Sequence, residues 1–158
     1  MASRAGHTHD RSGGHTDDVA AEIERRLAAS DQRLTKARGS VIEALRDAGR
    51  PITVEEILAA TPGLSQSSLY RNLAVFEAAG VVVRIQSTDG RARFELSEEI
   101  AGHHHHLICT RCGAIGDVAL PDDLERRLDG VLADVAAKSG FAMEHHRLDV
   151  VGLCRDCR

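Results

Sequence analysis

The sequence predicts an α+β protein built from two different parts, the first mainly helical and the second a small sheet with one long helix. Three observations support this prediction: capped amphipathic helices in the first half, two β-type runs around an Asp-Gly turn, and two Cys-x-x-Cys pairs in the second half. At 158 residues with 42% hydrophobic content, the chain is long enough for two small domains. We expect a flexible, polar arm over residues 1–16, one domain over 17–97 and another over 98–158.

The first domain opens with two helices. Asp17 or Asp18 caps the first of them, which carries an apolar stripe at helical spacing: Val19, Ile23 and Leu27. Thr35 is the expected N-cap of the second helix, which ends at Gly49.

A third and a fourth helix follow, separated by a short turn. Thr53 caps the third, with Glu56 at the capping-box position, and Ser65 caps the fourth. Two short helices joined in this way are typical of a helix-turn-helix, whose second helix reads DNA. The polar side of the fourth helix supplies the candidate DNA-contacting residues Gln66, Ser67, Ser68, Tyr70 and Arg71.

A hairpin comes next, with strands over 81–86 and 91–96 and a turn at Asp89-Gly90. Helices followed by a hairpin form a winged helix. We expect three wing arginines to contact phosphates: Arg84, Arg91 and Arg93. Winged helices also serve as protein-binding modules, so this pattern alone leaves both functions open.

The second domain reads as strand, strand, helix, strand. We place strands at 103–109 and near 114–118, a helix from Pro121 to Gly140, and a last strand over 141–153. The helix carries a clear apolar set: Leu124, Leu128, Val131, Leu132 and Val135. Because a small sheet has an exposed edge, pairing with a second copy is expected.

All four cysteines fall into two pairs with 41 residues between them, Cys109/Cys112 and Cys154/Cys157. This spacing suits a tetrahedral structural zinc site. The alternatives are two disulfides or four buried thiols. A disulfide across two intervening residues is strained, which favours zinc.

Four consecutive histidines lead into the first cysteine pair. Side chains alternate along a strand, so His103 and His105 face one way while His104 and His106 face the other. The run therefore supplies two separate sites with imidazole pairs. The alternatives are a solvated histidine loop or a tract like a purification tag. The histidines of the N-terminal arm, His7, His9 and His15, are expected to be solvated.

Net charge is −4, but its distribution is uneven. Residues 31–93 carry nine Lys/Arg against seven Asp/Glu, whereas residues 94–158 carry seven against twelve. The first part suits phosphates and the second suits cations. No apolar run reaches membrane-spanning length, and cysteines in metal-type spacing indicate a reducing cytoplasm.

Taken together, the chain from about residue 20 to 158 resembles the ferric uptake regulator family. The motifs that carry the resemblance are Leu34-Thr35 with Arg38, the run 68–73, Phe94-Glu95-Leu96, the block 103–113 and the last cysteine pair. The resemblance implies a homodimeric, metal-activated repressor whose winged helices bind palindromic operator DNA. It implies no enzyme, and no nucleophile with a base and an orienting residue is evident.

The resemblance also assigns the metal ligands. It implies a structural zinc site at Cys109, Cys112, Cys154 and Cys157, and a regulatory site at Glu95, His104, His106 and Asp117. It implies an additional site at His103, His105, Glu125 and His146. Where many family members supply a histidine before the third helix, this chain reads Arg50-Pro51-Ile52, and no cysteine is left for a zinc-sensing site.

The regulatory ligands are nitrogen and oxygen atoms, which suit Fe(II), Mn(II) or Zn(II). Peroxide-sensing members typically carry Asp in place of Glu95, which favours control of iron uptake. The alternatives are a zinc-uptake or peroxide-responsive regulator and, in another class, a zinc hydrolase or a metal-storage protein.

Overall fold

The computed structural model describes residues 14–158 of the chain. Most of the predicted arm, residues 1–13, lies outside the described residues. Helix α1 spans Gly14–Ala29. The expected start at Asp17 or Asp18 is therefore wrong, because the helix already includes the end of the predicted arm.

The rest of the first half has the predicted order of elements, with one short strand added. Its elements are α2 (Lys36–Ala48), β1 (Ile52–Thr53), α3 (Val54–Ala60), α4 (Gln66–Ala78), β2 (Val82–Gln86) and β3 (Ala92–Leu96). Each of the last three helices begins at the predicted cap. The Thr35 side chain accepts from the Arg38 N–H, Thr53 and Glu56 form a capping box, and the Ser65 side chain accepts from the N–H of Ser68.

The hairpin strands β2 and β3 are antiparallel, and β1 joins the free edge of β3, giving the order β1-β3-β2. The apolar side of α4 is buried as expected, because Leu69, Leu73 and Phe76 pack in one core with Ile23 and Leu27 of α1. This arrangement is the predicted winged helix.

The second half begins with a short helix, α5 (Glu98–Ala101), that the sequence analysis did not predict. It continues with β4 (His105–Cys109), β5 (Ile115–Val118), α6 (Asp122–Lys138), β6 (Asp149–Gly152) and a 3-10 turn over Arg155–Cys157. The sheet order is β5-β4-β6, with β4 antiparallel to β5 and parallel to β6.

The last strand is much shorter than predicted, and His146 precedes it instead of lying on it. In the parallel pair, His106 of β4 stands opposite Asp149 of β6. The pairing with β4 therefore begins with the Leu148 carbonyl, which accepts from the His106 N–H at 3.3 Å, and residues 141–148 form no strand.

Helix α6 has the predicted amphipathic pattern, but none of its residues is buried within the chain. Val131 is 61% exposed and Val135 55%. On β6, Val150 and Val151 are also exposed. The second half thus presents a broad apolar surface. Among residues 14–158, every helix is too short or too polar to cross a membrane.

Candidate metal centres and DNA-contacting surface

The four cysteines come together where the loop after β4 meets the end of the chain. Their Sγ atoms all lie within 4.8 Å of one another, and those of Cys112 and Cys154 are 3.7 Å apart. Zinc–sulfur bonds of about 2.3 Å in a tetrahedron place the sulfurs about 3.8 Å apart. The four side chains are free thiols in an arrangement that fits one tetrahedral ion.

The local backbone favours a thiolate at one of these positions. The N–H groups of Cys112 and then Cys154 point at the Cys109 sulfur and lower the pKa of that thiol to about 6. Hydrogen bonding to Cys154 and burial raise the pKa of Cys157 to about 12. Four crowded sulfurs cannot all ionise without a cation among them, which is the condition that zinc satisfies.

The second cluster joins the two halves of the chain. Glu95 comes from β3 of the winged helix, whereas His104, His106 and Asp117 belong to the second half. One ligand atom from each lies within 4.8 Å of all the others. The Nε2 atom of His106 is 3.1 Å from Glu95 Oε1, and that of His104 is 3.3 Å from Glu95 Oε2. These four are the residues assigned to the regulatory site.

Both imidazoles of this cluster are oriented by acceptors outside it. The Nδ1–H group of His104 donates to the Gly102 carbonyl at 2.8 Å, and that of His106 donates to Asp149 Oδ1 at 3.3 Å. Each Nε2 atom is thereby directed into the cluster, an arrangement common around metal-bound histidines. The sequence analysis missed Asp149, because only the β4–β6 pairing brings it beside His106.

Electrostatics inside the cluster favour a cation. Hydrogen bonding to Glu95 raises the pKa of His106, despite its burial. Burial, and then the negative charge of Glu95, raise the pKa of Asp117. A raised pKa means that His106 binds a proton more readily beside Glu95 and Asp117, and a divalent ion held by the same nitrogen must displace that proton.

Arg50, in the stretch that stands where other family members supply a histidine, forms an ion pair. Arg50 contacts Glu56 with 2.6 Å between Nη2 and Oε1. Arg50 also lines a cavity of about 430 Å³ beside Glu95, His104 and Asp117. Its guanidinium cannot ligate a metal, so the described part of the chain supplies four donors to this centre.

The third cluster lies wholly within the second half and is centred on Glu125 of α6. Its carboxylate approaches the Nε2 atoms of three imidazoles, His103 at 3.0 Å, His105 at 3.0 Å and His146 at 3.1 Å. The Nδ1 atoms of two of these rings contact other carboxylates: that of His103 contacts Glu98, and that of His146 contacts Asp129. These four residues are the ones assigned to the additional site. The four consecutive histidines are divided between the two clusters in the way that side-chain alternation predicts.

An unsatisfied nitrogen in this cluster tests whether the residues suit an ion. His146 Nε2 is buried and lacks a hydrogen-bond partner among the described residues, although Glu125 Oε1 is 3.1 Å away. The distance is short but the angle does not suit a hydrogen bond. A cation bound between this nitrogen and the carboxylate would satisfy both, so the donor set fits a metal.

Most predicted DNA-contacting residues lie on the surface. On α4, Gln66, Ser67, Tyr70 and Arg71 are exposed and Ser68 is half-buried, with its hydroxyl accepting from Arg71. The wing arginines Arg84 and Arg91 are exposed and line one groove with Tyr70. Arg84 stacks over the Phe94 ring, 6.0 Å from its centroid.

Arg93 does not join this surface, contrary to the expectation from sequence. It is 7% exposed, and its guanidinium makes two hydrogen bonds to Asp89, at 3.0 and 2.9 Å. The reason is strand alternation. Arg93 shares a face with Glu95, and that face of β3 is covered by the second half of the chain.

Comparison with known proteins agrees with these observations. The ferric uptake regulator family model matches residues 29–151. The peroxide operon regulator of Bacillus subtilis is 33% identical over 135 residues, covering 83% of this chain and 88% of that protein. The ferric uptake regulation protein of Bordetella parapertussis is 35% identical over 102 residues, covering 65% and 68%.

Among solved structures, the ferric uptake regulator of Vibrio cholerae superposes with a TM-score of 0.63 at 28% identity, covering 83% of this chain and 98% of that one. The matches span both halves of the chain and name regulators, not hydrolases or storage proteins. The chain therefore belongs to the ferric uptake regulator family of metal-responsive transcription regulators.

Proposed function

We propose that this protein is a metal-dependent repressor that binds palindromic operator DNA as a homodimer and controls metal uptake genes, with iron as the favoured metal. The observation that carries the proposal is the origin of the second cluster. Glu95 comes from the wing, and His104, His106 and Asp117 come from the other half. Any ion held by all four must tie the halves together.

Such a cross-link acts as a switch because the ligands meet in only one arrangement of the halves. An ion that binds this arrangement better than any other stabilises it by the difference in affinity. Tyr70, Arg84 and Arg91 line one groove within the winged helix, which is the surface a DNA duplex would contact. In a homodimer, fixing each winged helix against its own second half sets the distance between the two grooves. DNA binding and metal binding then strengthen each other equally.

The homodimer is supported by the apolar surface of α6 and β6. Val131, Val135 and Val151 are each more than half exposed, and no described element of the chain covers them. Burying a second copy's α6 and β6 against them removes this area from water. Twofold symmetry would present two copies of α4 to successive half-sites of a palindrome.

Two imidazoles and two carboxylates suit Fe(II), Mn(II) and Zn(II), so the donor set does not choose among them. Glu95 in the Phe-Glu-Leu motif favours iron. The Bacillus subtilis relative is named a peroxide operon regulator, so a peroxide-responsive repressor is the second candidate. Both candidates use the same cluster and differ in what happens to the bound ion.

The test is operator binding titrated with each ion, without oxygen, using protein that keeps zinc on its cysteines. The DNA is the region upstream of the chain's own gene or of metal-uptake genes, and the control is the same sequence scrambled. We expect Fe(II) to tighten operator binding in the wild type and to have no effect on Glu95→Gln. Equal binding with and without every ion would overturn the proposal.

Peroxide separates the two candidates. Fe(II) reduces hydrogen peroxide readily, whereas Mn(II) does so far more slowly. A peroxide-responsive repressor would release the operator when its Fe(II) form meets micromolar peroxide, while its Mn(II) form stays bound. An iron-uptake repressor would respond to the iron concentration and tolerate the same peroxide pulse.

A further inference from the structure

The end of the wing rests on the loop that carries the first cysteine pair. We call residues 87–90 the wing tip and residues 109–113 the zinc knuckle. The hydroxyl of Ser87 donates to the Gly113 carbonyl at 2.7 Å, and that of Thr88 donates to the Cys109 carbonyl at 2.9 Å. Both bonds connect the two halves of the chain, at the end of the wing opposite the second metal cluster.

The contact is closely packed. A Cβ atom on Gly113 would lie 2.4 Å from Asp89 Cγ, so only glycine permits this approach. Beneath it, Ile85 of β2 packs with Ile108 and Ile115 of the second half in a small buried cluster. The buried hydroxyl of Ser87 and the apolar side chains at this contact indicate a specific interface between the halves.

The wing tip carries one negative charge, the carboxylate of Asp89, which would repel DNA phosphates if it faced them. Asp89 turns toward the knuckle, where Arg93 pairs with it through two hydrogen bonds and the Arg91 N–H donates to it. These hydrogen bonds lower the pKa of Asp89, which therefore stays ionised and paired. The side chains of Arg84 and Arg91 remain exposed along the groove beside Tyr70. The docked wing thus presents cations toward the groove while its carboxylate faces the protein.

We infer that the zinc knuckle holds the DNA-contacting wing in position. Ser87 and Thr88 are the positioning residues of the wing. The four-cysteine site then has a second role beside holding its own domain together, because it fixes the carbonyls that the wing tip binds. The consequence for DNA rests on the proposed function. Releasing the tip lets the wing, with Arg84 and Arg91, move relative to α4.

The test compares substitutions that each remove one hydroxyl bonded to a carbonyl. Thr88→Val, alone and combined with Ser87→Ala, removes bonds between wing and knuckle. Ser40→Ala is the control, because the Ser40 hydroxyl donates to the Ala37 carbonyl at 2.9 Å, outside both the wing and the knuckle. All variants are first checked for one zinc per chain and for the molecular mass of the wild type.

Hydrogen exchange of residues 82–96, followed by mass spectrometry, measures docking without any DNA. We expect exchange about tenfold faster in the double variant than in wild type, a smaller increase in Thr88→Val, and no change in Ser40→Ala. Unchanged exchange in the double variant, or an equal increase in Ser40→Ala, would overturn docking. If the double variant does not fold, Thr88→Val decides, since that side chain lies at the surface.

Metal-saturated DNA binding measures the consequence. We expect the double variant to bind operator and scrambled DNA about two- to tenfold more weakly, by the same factor, because positioned arginines contact phosphates. Faster exchange with unchanged DNA affinity would refute the positioning role. A wild type that ignores the operator would refute the proposed function instead, and the exchange comparison would still decide whether the tip is docked.

Discussion

Replacing His104 by alanine should abolish the metal response while leaving a folded, zinc-containing dimer. The imidazole makes two hydrogen bonds, to Gly102 at 2.8 Å and to Glu95 at 3.3 Å. At about 0.5–1.5 kcal/mol each, their loss lowers the free energy of unfolding by about 1–3 kcal/mol, which a domain of ordinary stability tolerates. Binding at one coupled site usually changes the affinity at the other by about 5–150-fold. In His104→Ala, added metal should no longer change the affinity for operator DNA.

The matched variant is His103→Ala. His103 contacts Glu98 and Glu125, both in the second half of the chain, so it belongs to a cluster that does not bridge the halves. We expect this variant to keep most of its metal-dependent operator affinity and to lose dimer stability instead. Fluorescence anisotropy of a labelled operator, titrated with Fe(II) or Mn(II), and denaturant unfolding measure both quantities. Identical profiles for the two variants would refute the assignment of two sites.

Four further outcomes follow from the structure. Asp149→Asn removes the carboxylate that orients His106 and should lower metal affinity about 10–100-fold in a chelator competition; a change below twofold would exclude that role. Because the pKa of His106 is raised in the metal-free protein, metal affinity measured against pH should fall as the pH drops through that raised pKa, and a flat profile would contradict the competing proton. Tyr70→Ala should cost about 1–3 kcal/mol of discrimination between operator and random DNA, whereas Arg91→Ala should weaken both equally and reduce the salt slope by about one. Cys154→Ser should lose zinc and the folded dimer together, and a zinc-free dimer on a sizing column would show that the site is dispensable.

The first half was predictable because its signals are local. A capping side chain and the N–H it binds are three residues apart, as with Thr53 and Glu56, so both are visible in one short stretch of sequence. The same holds for the hairpin, whose Asp89-Gly90 turn fixes which residues of β2 and β3 face each other.

The second half was less predictable because its pairing is not local. The bond pattern between β4 and β6 joins residues more than forty positions apart, such as His106 and Asp149. No periodicity in residues 141–153 reveals where that pairing begins. The strand was therefore drawn too long, and the carboxylate behind His106 was missed. The cysteine pairs and the division of the histidine run were still predicted from residue type and spacing. The remaining ligands came only from the family resemblance: Glu95, Asp117, Glu125 and His146.

The burial of Arg93 on strand β3 could have been predicted from the alternation of side chains along the strand. Phe94 and Leu96 face the core of the winged helix, so Arg93 and Glu95 must face the other way. The sequence analysis placed Glu95 at a site between the halves, and alternation then requires the second half to cover Arg93 as well. The face of β3 that carries Arg93 and Glu95 therefore contributes to two sites. Glu95 belongs to the second metal cluster, and Arg93 binds Asp89 beside the zinc knuckle. An ion in that cluster and zinc in the knuckle would therefore hold the same wing at two points, so the loss of either should loosen it.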